Sequence, residues 1–317
     1  MFLRSISTSL LFIISLTYSS IGFTKPEPHE EITVNDFEVQ MLVNNTAVHS
    51  LTPGDKTEIE ILFTDPRSND IYKDFTAIEG KLLHLVILKQ DISVYKIVFP
   101  IFDVTTGKFS ITLNAANADP DNFNTVDTIT VAGDYKLMMQ VNITGLGKRS
   151  QMSDLTAIGT NDFMPLDLDP IDSDFSITKY FNSAENTQSP EFKGKLVIKT
   201  LSGCSDVFVD ITLELHKLNM DGSYDALTGI QAWPTSKVLA VWVSEGIVNL
   251  GETNFNQIFG DLPAANDNKV QYKFLDNEKM NPGKQKIWFQ MKHDGKRLTF
   301  PFTFEYYPPS FNSAQCK

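Results

Sequence analysis

Apolar and polar residues alternate with period two over long stretches of the chain. Val207, Val209, Ile211, Leu213 and Leu215 share one face, and Asp210, Thr212, Glu214 and His216 share the other. Leu298, Phe300, Phe302, Phe304 and Tyr306 alternate with Thr299, Pro301, Thr303 and Glu305, and Ile59, Ile61 and Phe63 repeat the pattern near the start. This spacing predicts half-buried strands of the kind that build β-sandwiches. Pro301 has no N–H for a ladder, so its strand is expected at a sheet edge or a bulge. Asp294-Gly295, between two apolar runs, predicts a two-residue hairpin, and Asp221-Gly222 predicts another turn. No long segment carries a 3.6-residue period, so the expectation is an all-β chain with almost no helix.

The two halves resemble each other. Lys81–Ile87 aligns with Lys237–Val243, and Ile101-Phe102 with Ile258-Phe259. Gly133–Leu137 with Gln140 aligns with Gly283–Ile287 with Gln290, and Gly147-Lys148-Arg149 with Gly295-Lys296-Arg297. Four matches in order predict a duplicated unit. Between them, Asp162–Asp174 is acidic, broken by Pro165 and Pro170, and reads as a linker. The expected organisation is a signal peptide over 1–24, a first sandwich over 25–160, an acidic linker over 161–175, a second sandwich over 176–310 and a tail over 311–317.

The first residues read as an export signal. Arg4 supplies the positive end, and Leu10, Leu11, Phe12, Ile13, Ile14 and Leu16 a short apolar centre. Ser20 and Gly22 are small residues ahead of a cut before Phe23, and a cut after Ser20 is the other option. The apolar run is shorter than the roughly 20 residues that span a bilayer, and no later stretch is long and apolar enough to do so. The mature chain is therefore expected to be exported, periplasmic or extracellular, with no transmembrane segment.

Export bears on the two cysteines of this 317-residue chain. Oxidising compartments permit a disulfide between Cys204 and Cys316, and we expect one; the alternative is a buried Cys204 and a free Cys316. Two cysteines cannot make a zinc ribbon or an iron–sulfur cluster. The formal net charge is −12, which argues against a nucleic-acid partner because an acidic chain repels phosphate backbones.

His84-Leu85-Val86-Ile87, Tyr95–Pro100 and Gly133-Asp134-Tyr135-Lys136-Leu137 carry a family resemblance. The first half is similar to bacterial secreted and periplasmic Ig-like domains with a His-Leu-(Val/Ile)-(Val/Ile) strand, a His-x-His-Pro motif and a Gly-x-Tyr-(Lys/Arg)-Leu-Phe strand. The resemblance covers most of residues 55–150 and, more faintly, 205–306. It implies two tandem antiparallel Ig-like β-sandwiches, and an association with copper or other metal handling. The chain departs from the family at the metal ligands. Ile97-Val98-Phe99-Pro100 stands where His-x-His-Pro belongs, and Ala240 stands where the second half would repeat His84. A copper or zinc site needs several donors converging on one point, and of that set only His84 remains.

For His84 the expectation is a packed histidine whose ring nitrogen meets a backbone group, with a metal ligand as the alternative. His216 is expected to be solvated; His29 and His49 fall in a tail and a loop, and His293 precedes a turn. No Gly-x-Ser-x-Gly, His-Glu-x-x-His or glycine-rich phosphate loop is present. Asp119-Pro120-Asp121-Asn122 and the Asp167–Asp174 run offer oxygen atoms to calcium, but neither fits an EF-hand loop. Asn44-Asn45-Thr46 and Asn142-Ile143-Thr144 are glycosylation sequons. The expected function is a non-catalytic exported binding or interaction protein with no cofactor, its partner an unspecified protein or small ligand. The alternative is a periplasmic metal-handling protein with a degenerate histidine site, and an unrecognised hydrolase is a third class.

Overall fold

The computed structural model describes residues 36–113, 125–126, 128–160, 166–174, 176–182, 191–202, 207–233, 237–244, 256–276 and 282–307. The expected signal peptide, the Asp119–Asn122 loop and both members of the expected disulfide, Cys204 and Cys316, lie outside these residues. All regular structure among the described residues is β. The first half contains β1 (Glu38–Val43), β2 (Ser50–Leu51), β3 (Thr57–Thr64), β4 (Leu83–Lys89), β5 (Tyr95–Val98), β6 (Ile101–Asp103), β7 (Lys108–Leu113), β8 (Thr125–Val126), β9 (Gly133–Ile143) and β10 (Gly147–Ala157). The second contains β11 (Ser176–Phe181), β12 (Phe192–Ser202), β13 (Val207–Leu218), β14 (Tyr224–Ala226), β15 (Val238–Ser244), β16 (Asn256–Gly260), β17 (Lys269–Asp276), β18 (Gly283–His293) and β19 (Lys296–Tyr306).

These strands form four open sheets. The first half has β1-β3-β7-β6, with β8 on β7, and β2-β10-β9-β4-β5. The second has β11-β12-β13-β14, with β17 also on β13, and β16-β15-β18-β19. Nearly all pairs are antiparallel. The exceptions are β2 on β10 and β8 on β7, so the sheets are mixed rather than purely antiparallel. Short β2 pairs with Thr156 and Ala157, at the end of β10 alone.

Side chains on alternate faces divide into three cores. Ile59, Ile61 and Phe63 of β3 meet Leu83, Leu85 and Ile87 of β4 in the first. Val209, Ile211, Leu213 and Leu215 of β13 meet Phe300, Phe302, Phe304 and Tyr306 of β19 in the second. The third joins the halves: Val86 and Leu88 of β4, Ile97 of β5 and Met138 of β9 pack with Leu239, Val241 and Val243 of β15 and Trp288 of β18. Four sheets therefore alternate with three cores, and the described residues make one compact unit. Every residue of β4 and of β15 is buried. A strand covered on both faces must be apolar on both, which is why neither strand alternates.

The hairpin and edge expectations hold. Asp294 and Gly295 have φ of 50° and 72° and join β18 to β19, as a primed two-residue turn requires. Pro301 lies on β19, the edge of its sheet. The outer side of that edge is met by the acidic segment. Asp169 N–H donates to the Thr303 carbonyl at 2.9 Å, and Thr303 N–H donates to Asp169 Oδ2 at 2.7 Å. Leu166 is only 6% exposed and belongs to the third core. Over 166–174 the segment read as a linker also straps the edge of β19.

Pairing corrects the alignment of the halves. β9 and β18 both open on glycine, Gly133 and Gly283. On that basis Met139 corresponds to Phe289 and Gln140 to Gln290. Leu85 pairs with Met139, whereas Ala240 pairs with Phe289. Ala240 is thus the counterpart of Leu85, and Leu239 is the counterpart of His84. Ala240 packs in the second core, on the opposite face from the one expected for it. A one-residue slip in a strand exchanges its faces. Ile258 pairs with Ala240 as Val98 pairs with Leu85, so Ile258-Phe259 corresponds to Val98-Phe99. Ile101-Phe102, matched to it by sequence, belongs to β6 in another sheet. The Gly-Lys-Arg match also shifts by one residue. The turn after β9 holds three residues, that after β18 two, so Gly147 corresponds to Lys296.

Candidate functional site

His84 lies on β4 opposite Gln140 and faces the other half of the molecule. It is 0% exposed. Its Nε2 donates to the Ile78 carbonyl at 2.9 Å, the backbone partner expected for it. Phe99 meets the ring edge-on with centroids 5.1 Å apart, and Phe259 from the second half meets it at 5.9 Å. Burial lowers the imidazole pKa; Lys81 adds to this, and the Ile78 carbonyl, the Gln257 amide and Glu79 oppose it. A neutral ring wedged between two phenylalanines and bonded to a backbone carbonyl is built for packing.

The other expected candidates do not join it. His49 Nε2 lies 3.1 Å from the Met41 carbonyl, His216 Nε2 lies 3.0 Å from Glu214 Oε1, and His293 Nε2 lies 3.1 Å from Asp294. His216 is thus paired and partly buried, where it was expected to be solvated. Among the described residues no three His, Cys, Asp or Glu side chains converge to hold a metal ion. Three carboxylates of the acidic segment already have protein partners. Asp169 pairs with Lys179 at 2.8 Å, Asp174 with Lys195 at 2.8 Å, and Asp172 accepts from Ser176 Oγ at 2.8 Å. The Lys195 bond, with a hydrogen bond from Ser176 Oγ, holds Asp174 far below the usual carboxylate range.

A different feature lies where β5 of the first half meets the β18–β19 hairpin of the second. The Tyr95 ring stacks on Trp288 with centroids 4.5 Å apart and planes 16° from parallel. Tyr95 O–H donates to Gln290 Oε1 at 3.3 Å. On the other side Lys286 Nζ sits 5.2 Å from the Trp288 ring and donates to the Ile92 carbonyl at 3.2 Å. Burial is the main cause that lowers the Lys286 pKa, and neighbouring Lys179 adds to it. Ile92 has φ of 52°, an unusual value for a β-branched residue. Its turn is pinned by the buried Lys89–Asp91 ion pair and by Ser93 N–H donating to Asp91 Oδ1 at 3.0 Å. The turn therefore presents a carbonyl to a cation of the opposite half.

Above this lock is an open groove of about 520 Å³ lined from both halves. Its apolar walls are Ile97, Phe181 and Pro301, and Tyr180, 53% exposed, is part of its lining. Ser93, Asn182, Gln290 and Thr299 bring hydrogen-bonding groups, and Lys96 and Arg297 bring positive charge. No carboxylate is among the described residues that line it. Sequence reading missed this place because its residues are scattered from Ser93 to Pro301. One signal was present: Trp288 and Gln290 alternate with Ile287, Phe289 and Met291, so an aromatic sits on the face that a two-layer reading leaves to solvent. Such a residue marks a second covered surface.

No family model matches the chain, and no curated protein matches it.

Proposed function

We propose that the chain is an exported, non-catalytic binding protein made of two Ig-like sandwiches, repeats of one unit, that recognises its ligand in the groove between them. The strand orders support the Ig-like reading. β1-β3-β7-β6 faced by β5-β4-β9-β10 follows the arrangement of an Ig sandwich, and β12-β13-β17 faced by β16-β15-β18-β19 follows it again. The third core supports the duplication, because matching positions supply it: Val86 with Val241, Leu88 with Val243, Met138 with Trp288. The observation that carries the binding role is the groove itself. It is preformed, its floor is held rigid by the Tyr95–Trp288 stack, and its volume falls in the range of ligand pockets. The N-terminal sequence, with Arg4 and the Leu10–Leu16 apolar run, supports export to a periplasm or the outside.

Thermal unfolding in the presence of a panel of sugars, organic acids, amino acids and peptides tests the binding role. A ligand at 100 times its Kd adds about 2.7 kcal/mol and a measurable rise in Tm. Thr299→Trp fills the groove from an exposed position and is expected to abolish that rise. If no compound shifts Tm, or if the shift survives Thr299→Trp, the groove is not the binding site.

A further inference from the structure

We infer that the groove binds a sugar acid, with its carboxylate held by Arg297. The inference rests on the reading of the groove as the binding site and specifies its ligand. Unpaired surface arginines are ordinary; three features set this one apart. The guanidinium carbon lies 5.2 Å from the ring centre of Trp233, a residue 2% exposed in the third core, so the cation is held on a rigid aromatic platform. It lines the groove together with Tyr95 and Gln290. It has no carboxylate partner among the described residues. Arg149, by contrast, is gripped by Asp36, with Nε 3.1 Å from each carboxylate oxygen.

Charge complementarity points the same way. The chain carries 39 acidic residues against 27 Lys and Arg. Even so, the described lining of this groove has two cations, Lys96 and Arg297, and no acid. Asp91, which holds the Ser93 hydroxyl behind this lining, is itself paired with Lys89, and a planar guanidinium fork suits the two oxygens of a carboxylate. The remaining polar groups outnumber the cations. Gln290 is buried and held by Tyr95 O–H and by its own bond to Thr299 Oγ1 at 3.4 Å, so it is pre-oriented. Asn182 and Thr299 add amide and hydroxyl groups, and exposed Tyr180 adds an aromatic surface. One acidic group, several hydroxyls and a partly apolar ring face describe a uronic acid better than a phosphate or a purely apolar anion.

The test is a titration of the purified protein followed by tryptophan fluorescence. The probes are glucuronate, galacturonate and a uronate disaccharide, against glucose, inorganic phosphate and an acetylated dipeptide carboxylate. A uronate is expected to bind at least ~10-fold more tightly than glucose, as expected for a charge-assisted bidentate contact. Its affinity should fall at least ~10-fold in Arg297→Gln, fall less in Lys96→Gln, and weaken with added salt. Little or no change of Tm in both variants shows that the fold is intact. The inference is overturned if glucose, phosphate or the dipeptide binds as well as the uronates, if Arg297→Gln binds like the parent protein, or if no uronate binds. A Tm shift from another ligand that Thr299→Trp abolishes, alongside silent uronates, would remove the sugar acid and leave the groove's binding role standing.

Discussion

The two halves differ on the face where they meet and in the use of the arginines on their long hairpins. On the face where the halves meet, β4 carries His84 and β15 carries Leu239. The edge strands bring Phe99 and Phe259 to the same imidazole, one from each half. In the β9–β10 hairpin Arg149 is a clamp, bound to Asp36 just ahead of β1 and so tying the two sheets of the first half together. In the β18–β19 hairpin Arg297, one position removed from strict equivalence, leans on Trp233 and lines a groove.

The third core gives the sharpest way to break this comparison. Val86 and Val241 are fully buried at matching positions. Val86→Asp and Val241→Asp should each destabilise by at least ~4 kcal/mol, because each strands an uncompensated charge in an apolar core. Urea unfolding reads this directly. If either costs under ~1 kcal/mol, the faces of β4 and β15 do not share a core.

A smaller effect separates the hairpins. Gly295 sits at φ 72° in a two-residue turn, and Gly145 at φ 87° in a three-residue turn. Gly295→Ala should cost ~1–2 kcal/mol, the price of a Cβ in the left-handed region. Gly145→Ala should cost no more, since the longer turn has more room to adjust. A larger loss at Gly145 would reverse the ranking.

The arginines should part company more finely still. Arg149→Gln is expected to lower stability by no more than ~1 kcal/mol, since the Asp36 pair is partly exposed and screened by solvent. It should leave ligand binding alone. Arg297→Gln should weaken binding, with no more than the small stability loss of its contact with Trp233. Equal effects of both variants on both measurements would erase the distinction.

The last difference is one of pH. Burial lowers the folded-state pKa of His84 below its unfolded value. The unfolded chain therefore takes up this proton first, and the contribution is present above the ordinary histidine range and lost as pH falls through it. His84→Leu, which installs the residue found at the matching position of β15, should make stability less sensitive to pH between 7 and 5. An unchanged pH profile would mean that His84 is not held neutral by its surroundings.

Strand identity, the all-β class, the Asp294-Gly295 hairpin and the edge position of Pro301 were legible because each rests on local chemistry: side-chain period, turn φ values, a missing N–H. The faces of β13 and β19 were legible for the same reason, as their polar residues mark one side. β4 and β15 carry no such mark. Lys81–Leu88 and Lys237–Ser244 are apolar on both faces, so hydrophobic matching accepts a one-residue slip that places Ala240 on His84, and only cross-strand hydrogen bonding selects Leu239 instead. The cover over the outer face of β4 was equally hidden, since a doubly buried strand declares that something packs on it without saying what. The groove stood furthest from view. Lys96, Tyr180 and Arg297 are far apart along the chain, and their meeting depends on the packing of Trp288 against Tyr95. The sequence by itself determined which segments become strands and where they turn, because those are short-range preferences. Register, the third core and the site between the halves were decided by tertiary structure, because they are set by which surfaces meet.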